Sequence, residues 1–347
     1  MSDLADIIEA LSEPRVYPEP TTRVEVTQTQ MSVVFLTDAF VYKVKKPVNL
    51  GYLDYTTLAK RRHLCRQEVT LNRRLCPEVY IGAVPIRRTP FGIVPGGNGK
   101  TMEYAVKMRR LPQDRMMDVL LAQDKVTPEM VTRVAEKIAE FHRHAASNPA
   151  IREFGSIDTL RFNTEENFSQ AEKYIGRAVD PEQYHRIAHF TRDFLQDRAL
   201  LFHKRVLDRR IKDCHGDLHT QHICFTQIPL NPPFSKGEDY GICIYDCIEF
   251  NDRFRYVDVA AEVSFLAMDL DRWGHAGLSR HLVDAYVRAS GDSEIPELLG
   301  YYKCYFAVVR AKVNCFRLDD PLLSAEQKAQ ALADARKYFE LAESYIM

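Results

Sequence analysis

No Cys-x-x-Cys pair occurs in this sequence, no apolar run is long enough to cross a bilayer, and neither sign of charge prevails. Each absence excludes something. With 47 Lys and Arg against 48 Asp and Glu, the formal net charge is -1. No global field would therefore hold nucleic acid or an anionic membrane, and neither is expected as a partner. Basic residues do crowd the first third, from Lys43 to Arg110, and most read as solvated faces. The start, Met1-Ser2-Asp3-Leu4-Ala5-Asp6, is acidic and has no apolar stretch of a signal peptide, so the expected location is the cytoplasm. The eight cysteines are Cys65, Cys76, Cys214, Cys224, Cys243, Cys247, Cys304 and Cys315. Most have apolar neighbours, which predicts reduced, buried thiols. A true phosphate-binding loop is missing too. Gly96-Gly97-Asn98-Gly99-Lys100-Thr101 ends like one, but the pattern needs glycine at the position of Val94. The residues that follow, Met102 to Val106, read as strand where a helix is required, so the stretch predicts a hairpin turn.

What is present points to two lobes. A chain of 347 residues with 46% hydrophobic and 27% charged residues is an ordinary globular composition and too long for one small core. Residues 4–11 read as a short helix ended by the prolines of 14–20, and 22–48 read as strands. Within Phe40-Val41-Tyr42-Lys43-Val44-Lys45, Tyr42 and Val44 face one way and Lys43 and Lys45 the other. A helix over 56–75 follows from Leu58, Leu64, Glu68, Leu71 and Leu75, with Asp54 or Thr56 as its cap and Cys76-Pro77 as its end. Two more strands, near 79–86 and 101–109, complete an antiparallel sheet with one helix. The first lobe is set at 1–111, broken off by Leu111-Pro112. Residues 112–347 form a mostly helical second lobe, with helices predicted over 128–146, 158–176, 181–207, 258–271, 276–290, 295–317 and 324–346. The proline-rich stretch 227–240, between apolar strands at 222–226 and 241–245, reads as a loop insertion. The fold class is α+β.

The chemistry concentrates in Cys214-His215-Gly216-Asp217-Leu218-His219-Thr220-Gln221-His222 and in Ile242-Cys243-Ile244-Tyr245-Asp246. Glycine allows a sharp turn before Asp217, which makes this carboxylate a candidate general base or, alternatively, a surface turn residue. Asp246 ends an apolar strand, where a carboxylate suits a hard cation or simply ends the strand. Lys43 is the preferred candidate for a phosphate lysine and Lys45 its competitor; either could be a solvated edge lysine. Glu68 lies on the apolar stripe of the first long helix. Burying it alone is costly, so it calls for a cation, which Lys43 would supply, or else it is an exposed helical-spacing partner of Arg61, Arg62 or Arg73.

These residues resemble the aminoglycoside phosphotransferase and choline-kinase superfamily, of protein-kinase-like fold. Within it they resemble an uncharacterised bacterial branch often fused to a P-loop ATPase half. Carrying the resemblance are Val41 to Val48, Leu71 to Tyr80, His215-Gly216-Asp217-Leu218-His219, and Tyr245 to Asp258. It implies a bilobal kinase fold and transfer of the γ-phosphoryl group of ATP to a hydroxyl of a small molecule. By this resemblance Asp217 is the catalytic base, Asp246 the Mg²⁺ ligand, and Lys43 with Glu68 the nucleotide pair. Asp258 would brace the loop, or else cap the helix that follows, and the adenine hinge falls near Met108 to Leu111. Only the kinase-like half is expected here, with a P-loop ATPase as a functional partner.

Two departures bear on activity. His222 stands five residues past Asp217, where such kinases place a metal-binding asparagine. Imidazole suits Mn²⁺ better than Mg²⁺. His222 is therefore open to binding through water, shifting preference towards Mn²⁺, or no metal role. The strand-connecting loop Thr27-Gln28-Thr29-Gln30 lacks the glycines that cover nucleotide in protein kinases. The alternatives to a kinase are a catalytically weak or inactive nucleotide-binding regulator and a zinc protein using Cys214, His215, His219 and His222. Arg310, on a helix with Tyr301, Tyr302, Tyr305, Lys312 and Asn314, is a candidate contact for an anionic acceptor or a plain surface arginine.

Overall fold

The computed structural model describes residues 3–226, 241–321 and 323–346. The stretch 227–240, read above as an insertion, lies outside them. The chain divides into two compact units, Met1–Val119 with Gln221–Asp252, and Leu120–Thr220 with Arg253–Met347. In chain order the first holds α1 (Asp3–Leu11), β1 (Glu25–Gln28), β2 (Ser32–Leu36), β3 (Phe40–Lys45), α2 (Leu58–Asn72), β4 (Tyr80–Thr89), β5 (Gly92–Pro95) and β6 (Lys100–Arg109). The short α3 (Met117–Leu121) leads into the second unit. There follow α4 (Pro128–His144), α5 (Pro149–Arg152), α6 (Ile157–Ala171), α7 (Pro181–Asp197), α8 (Ala199–Leu207) and β7 (Ile211–Asp213). The hairpin β8 (Ile223–Phe225) and β9 (Ile242–Ile244) belongs to the first unit, and α9 (Asp252–Arg255) leads out of it. The second unit ends with β10 (Tyr256–Asp258), α10 (Val259–Arg272), α11 (Ala276–Ser290), α12 (Ile295–Leu318) and α13 (Ala325–Ser344).

Unit 1 is built on an antiparallel six-stranded sheet, in the order β1-β2-β3-β6-β4-β5. Alternation sorts β3 as read: Tyr42 and Val44 pack with Val33, Phe35, Ile86 and Ala105 against Ile7 and Leu11 of α1. Each of the larger aliphatic or phenyl side chains among them, such as Ile7, Leu11, Val33, Phe35 and Ile86, contributes about 2 kcal/mol when taken from water. Lys43 and Lys45 fall on the opposite face, where α2 packs through Cys65 and Val69 on Tyr80 and Val106. The hydroxyl of Thr57 caps α2 by accepting from the Lys60 N–H. Asp54, one of the two caps expected, instead closes a turn by accepting from the Thr56 N–H at 3.0 Å. The glycine stretch 96–99 forms the β5–β6 turn, with Gly96 and Gly97 at positive φ.

Two of the eight cysteines depart from the reduced state expected. Cys76, just past α2, and Cys243, in β9, form a disulfide with Cα atoms 4.8 Å apart. Both face the cluster of Val69, Tyr80 and Val106, a convergence invisible to spacing because they stand 167 positions apart. The other six are buried.

Unit 2 is organised around α10. Val259 through Leu270 are buried without interruption, which marks a central helix rather than a surface one. Phe265 and Met268 join a core with Ala307, Val308 and Ala311 of α12 and Ala335 and Phe339 of α13. The single helix expected over 181–207 is two, interrupted at Arg198, which caps α7 with φ -104° and ψ 17° and begins α8. No described helix is long and apolar enough to cross a membrane.

Candidate functional site

In unit 1 the structure brings Lys43, Glu68, Asp246 and His222 together. Lys43 Nζ lies 2.6 Å from Asp246 Oδ1 and 3.1 Å from Glu68 Oε1. Burial alone would lower the Lys43 pKa; Asp246 and Glu68 outweigh it and hold the ammonium well above its usual range. Its side chain keeps 18% exposure, and Asp246 keeps 37%. The β8–β9 hairpin delivers Asp246, and the backbone there turns into the left-handed region, at φ 62°. That turn is uncommon for a residue with a Cβ. It is held on both sides, since the Asp246 N–H donates to Tyr80 Oη at 3.1 Å and the Cys247 N–H to Asn72 Oδ1 at 2.8 Å. His222 Nε2 stands 3.7 Å from Asp246 Oδ2. A carboxylate oxygen that is partly exposed and fixed by its backbone is a hard ligand of the kind that Mg²⁺ and Mn²⁺ take, and a neighbouring imidazole suits Mn²⁺ better than Mg²⁺.

Lys45 lies on the same face and is shut in. Its Nζ reaches Glu68 Oε2 at 2.6 Å and Tyr55 Oη at 3.4 Å and pairs with Glu249 Oε1. Tyr55 donates to that same oxygen at 2.6 Å. Desolvation works to raise the Glu249 pKa, but the charges of Lys45 and Lys43 and these hydrogen bonds lower it on balance. Sequence reasoning missed Glu249. The available signal was Lys45 itself: a second inward lysine needs a second acid.

In unit 2 the His-Gly-Asp turn hangs on α10. β7 pairs antiparallel with β10, which sets Phe254 and Arg255 beside the turn. Gly216 has φ 88°, and a Cβ there would come within 2.7 Å of the Phe254 carbonyl oxygen. One oxygen of Glu262 accepts from the N–H groups of both His215 and Gly216, each at 2.7 Å. Its other oxygen contacts His142 Nε2 at 2.7 Å, and His142 Nδ1 meets Tyr286 Oη at 2.7 Å. Burial would raise the Glu262 pKa; the His142 hydrogen bond and charge prevail and lower it. Sequence reasoning missed this anchor as well. The other end of the segment is tied by Asp269, whose Oδ2 accepts from the N–H and hydroxyl of Thr220 at 2.9 and 2.6 Å. Between these ties Asp217 is one-third exposed, with His219 Nε2 3.5 Å from its Oδ2.

Other expected residues resolve as follows. Asp258 accepts the Ala260 N–H at 2.8 Å as cap of α10, and also forms a buried two-point pair with Arg205 at 2.6 and 3.0 Å. Cys214 does not gather with the histidines of its own segment. Its thiol points to the Val257 carbonyl at 3.6 Å and lies near His142 and Glu262, whose ring nitrogens and oxygens already have hydrogen-bond partners. Tyr301 and Tyr302, on the helix of Arg310, are buried core residues. Arg310 is half-buried 5.8 Å from the Tyr338 ring, and its Nε has no hydrogen-bond partner among the described residues.

No known protein-family model matches this chain. It is 29% identical over 323 residues to uncharacterised proteins of Mycobacterium tuberculosis and Mycobacterium bovis. That alignment spans 93% of this chain and only 60% of the length of those relatives. Among solved structures, it superposes on a choline/ethanolamine kinase family protein from Mesorhizobium loti with a TM-score of 0.52 at 13% identity, over 98% of each chain. The GDP complex of aminoglycoside 2'-phosphotransferase-IIIa matches with a TM-score of 0.51 at 13% identity, over 96% of this chain and 98% of that one. The chain therefore has the α+β bilobal kinase-like fold of those proteins.

Proposed function

We propose that this protein is a phosphotransferase that moves the γ-phosphoryl group of ATP to a hydroxyl of a small molecule. The observation that carries the reading is Lys43, an ammonium within 3.1 Å of both Glu68 and Asp246 on the α2 face of the sheet. Phosphoryl transfer needs a held cation for the phosphates and a hard anionic ligand for the metal, with little covalent chemistry from the protein. Glu68 would hold Lys43 for the nucleotide phosphates. Asp246, with His222 beside it, would hold Mg²⁺ or Mn²⁺, which when bound neutralises phosphate charge. Asp217, partly exposed on a turn braced by Glu262, would accept the proton of the attacking hydroxyl. The relatives of matching fold, a choline/ethanolamine kinase family protein and an aminoglycoside phosphotransferase bound to GDP, support both the reaction class and a nucleotide.

The test is a thermal-shift titration with ATP, GTP and ADP, each with Mg²⁺ or Mn²⁺, followed by a kinase screen over hydroxylated metabolites. Stabilisation by Mg·ATP or Mn·ATP is expected, with turnover that vanishes in Asp217→Ala while nucleotide stabilisation persists. Absence of any nucleotide response refutes the proposal. His222 close to Asp246 favours a second reading, a regulator that binds nucleotide without transfer. Nucleotide binding with no turnover in either the wild type or His222→Asn supports that reading.

A further inference from the structure

Two lysines line one face of β3 where one phosphate contact would suffice, and their surroundings differ sharply. Lys43 keeps 18% exposure and is paired to the partly open Asp246. Lys45 is 1% exposed and is enclosed by Glu68, Glu249 and Tyr55. Glu68 is fully buried and divides its oxygens between them, Oε1 to Lys43 and Oε2 to Lys45. A buried carboxylate short of cationic charge is strongly destabilising, so Glu68 needs a partner besides Lys43, whose charge a ligand would share.

We infer that Lys45, fixed by Glu249 and Tyr55, is the permanent counter-ion of Glu68 and so leaves Lys43 free to exchange Asp246 for nucleotide phosphates. Lys45 and Glu249 are thus positioning residues, an assignment that rests on the nucleotide-site reading above. The charge distribution explains the division of labour. The Lys43–Asp246 contact is partly solvated and therefore the easier to exchange, whereas the contacts of Lys45 are dry and costly to break. Without Lys45, Lys43 would be the one cation left to Glu68 among the described residues and be drawn onto it. Asp246 would lose a competing ammonium, and the phosphates would lose their lysine.

This predicts opposite changes in two affinities, which a general loss of structure would not produce. The triple variant Lys45→Met, Tyr55→Phe, Glu249→Met replaces the enclosed polar group with apolar side chains of similar size, an exchange that buried ion pairs often tolerate. Mn²⁺ affinity without nucleotide is read by electron paramagnetic resonance, Mg·ADP affinity by calorimetry, and folding by circular dichroism. Mn²⁺ is expected to bind about threefold tighter and Mg·ADP about tenfold weaker, the latter equal to about 1.4 kcal/mol. Should the triple variant not fold, Glu249→Gln, which loosens Lys45 while keeping its shape, is expected to move both affinities in the same senses by a smaller factor. A folded variant with both affinities unchanged, or with both weakened together, overturns the inference alone. A wild-type protein that binds neither Mn²⁺ nor Mg·ADP overturns the nucleotide-site reading and this inference with it.

Discussion

Glu262→Gln isolates the charge that holds the His-Gly-Asp turn. The substitution keeps the size of the side chain and an oxygen able to accept from the His215 and Gly216 N–H groups. Three contacts, these two and the one to His142, drop from charge-assisted to neutral. Each such change is worth about 1 kcal/mol, so the expected loss of stability is about 3 kcal/mol, a large share of the ~5–15 kcal/mol typical of a domain. The chain supplies its own probe. Trp273 is its single tryptophan, and its indole N–H donates to Thr220 Oγ1 at 3.2 Å, in the segment that carries Asp217. Urea unfolding followed by Trp273 fluorescence should show the shift. Acid provides a second readout. The folded carboxyl of Glu262 ionises more readily than the unfolded one, so the folded state binds fewer protons and the contribution is complete above the unfolded pKa of about 4.3. It is lost as pH falls through and below that value to the folded pKa. Because Gln does not titrate, the gap between the two proteins should close on acidification from neutral pH. A loss under about 1 kcal/mol at neutral pH, or a gap independent of pH, refutes the account of an ionised anchor.

Three further outcomes are expected. Gly216→Ala combines a left-handed backbone with a 2.7 Å approach to the Phe254 carbonyl, and should cost about 3 kcal/mol in urea unfolding. Arg205→Met leaves the buried Asp258 without its guanidinium, 2.6 Å away in the wild type, and leaves the buried Asp292 with Arg210 at 3.6 Å in place of Arg205 at 2.6 Å; a loss of about 4 kcal/mol is expected in the same assay. Lys312, whose pKa burial pushes down to about 8, should react with an acylating reagent at pH 8 faster than exposed lysines of ordinary pKa once access is matched, as read by peptide mass spectrometry.

Local pattern and burial cost made some of this legible from sequence. The two-residue alternation of β3 separates Tyr42 and Val44 from Lys43 and Lys45, and that separation alone puts both lysines over α2. Glu68 on an apolar stripe demanded a cation, and the cation is there. What sequence left out depends on the folded path of the chain. Nothing near Arg198 is glycine or proline, so the break between α7 and α8 has no local marker. Glu262 looks like an ordinary first-turn acid until the β7–β10 pairing brings His215 and Gly216 against it. His142 lies 120 residues away from it in sequence, and only the packing of α4 in unit 2 brings it within 2.7 Å.

The bond between Cys76 and Cys243 changes the connectivity of the chain as well as its packing. It closes a covalent ring between positions 167 apart, and the whole segment from 120 to 220, the first stretch of unit 2, lies inside that ring. In a chain-entropy picture, closing so large a loop removes about 5 kcal/mol of freedom from the unfolded ensemble. It also means that a single cut anywhere within the ring leaves one molecule, whose fragments separate only when a thiol reductant opens the link.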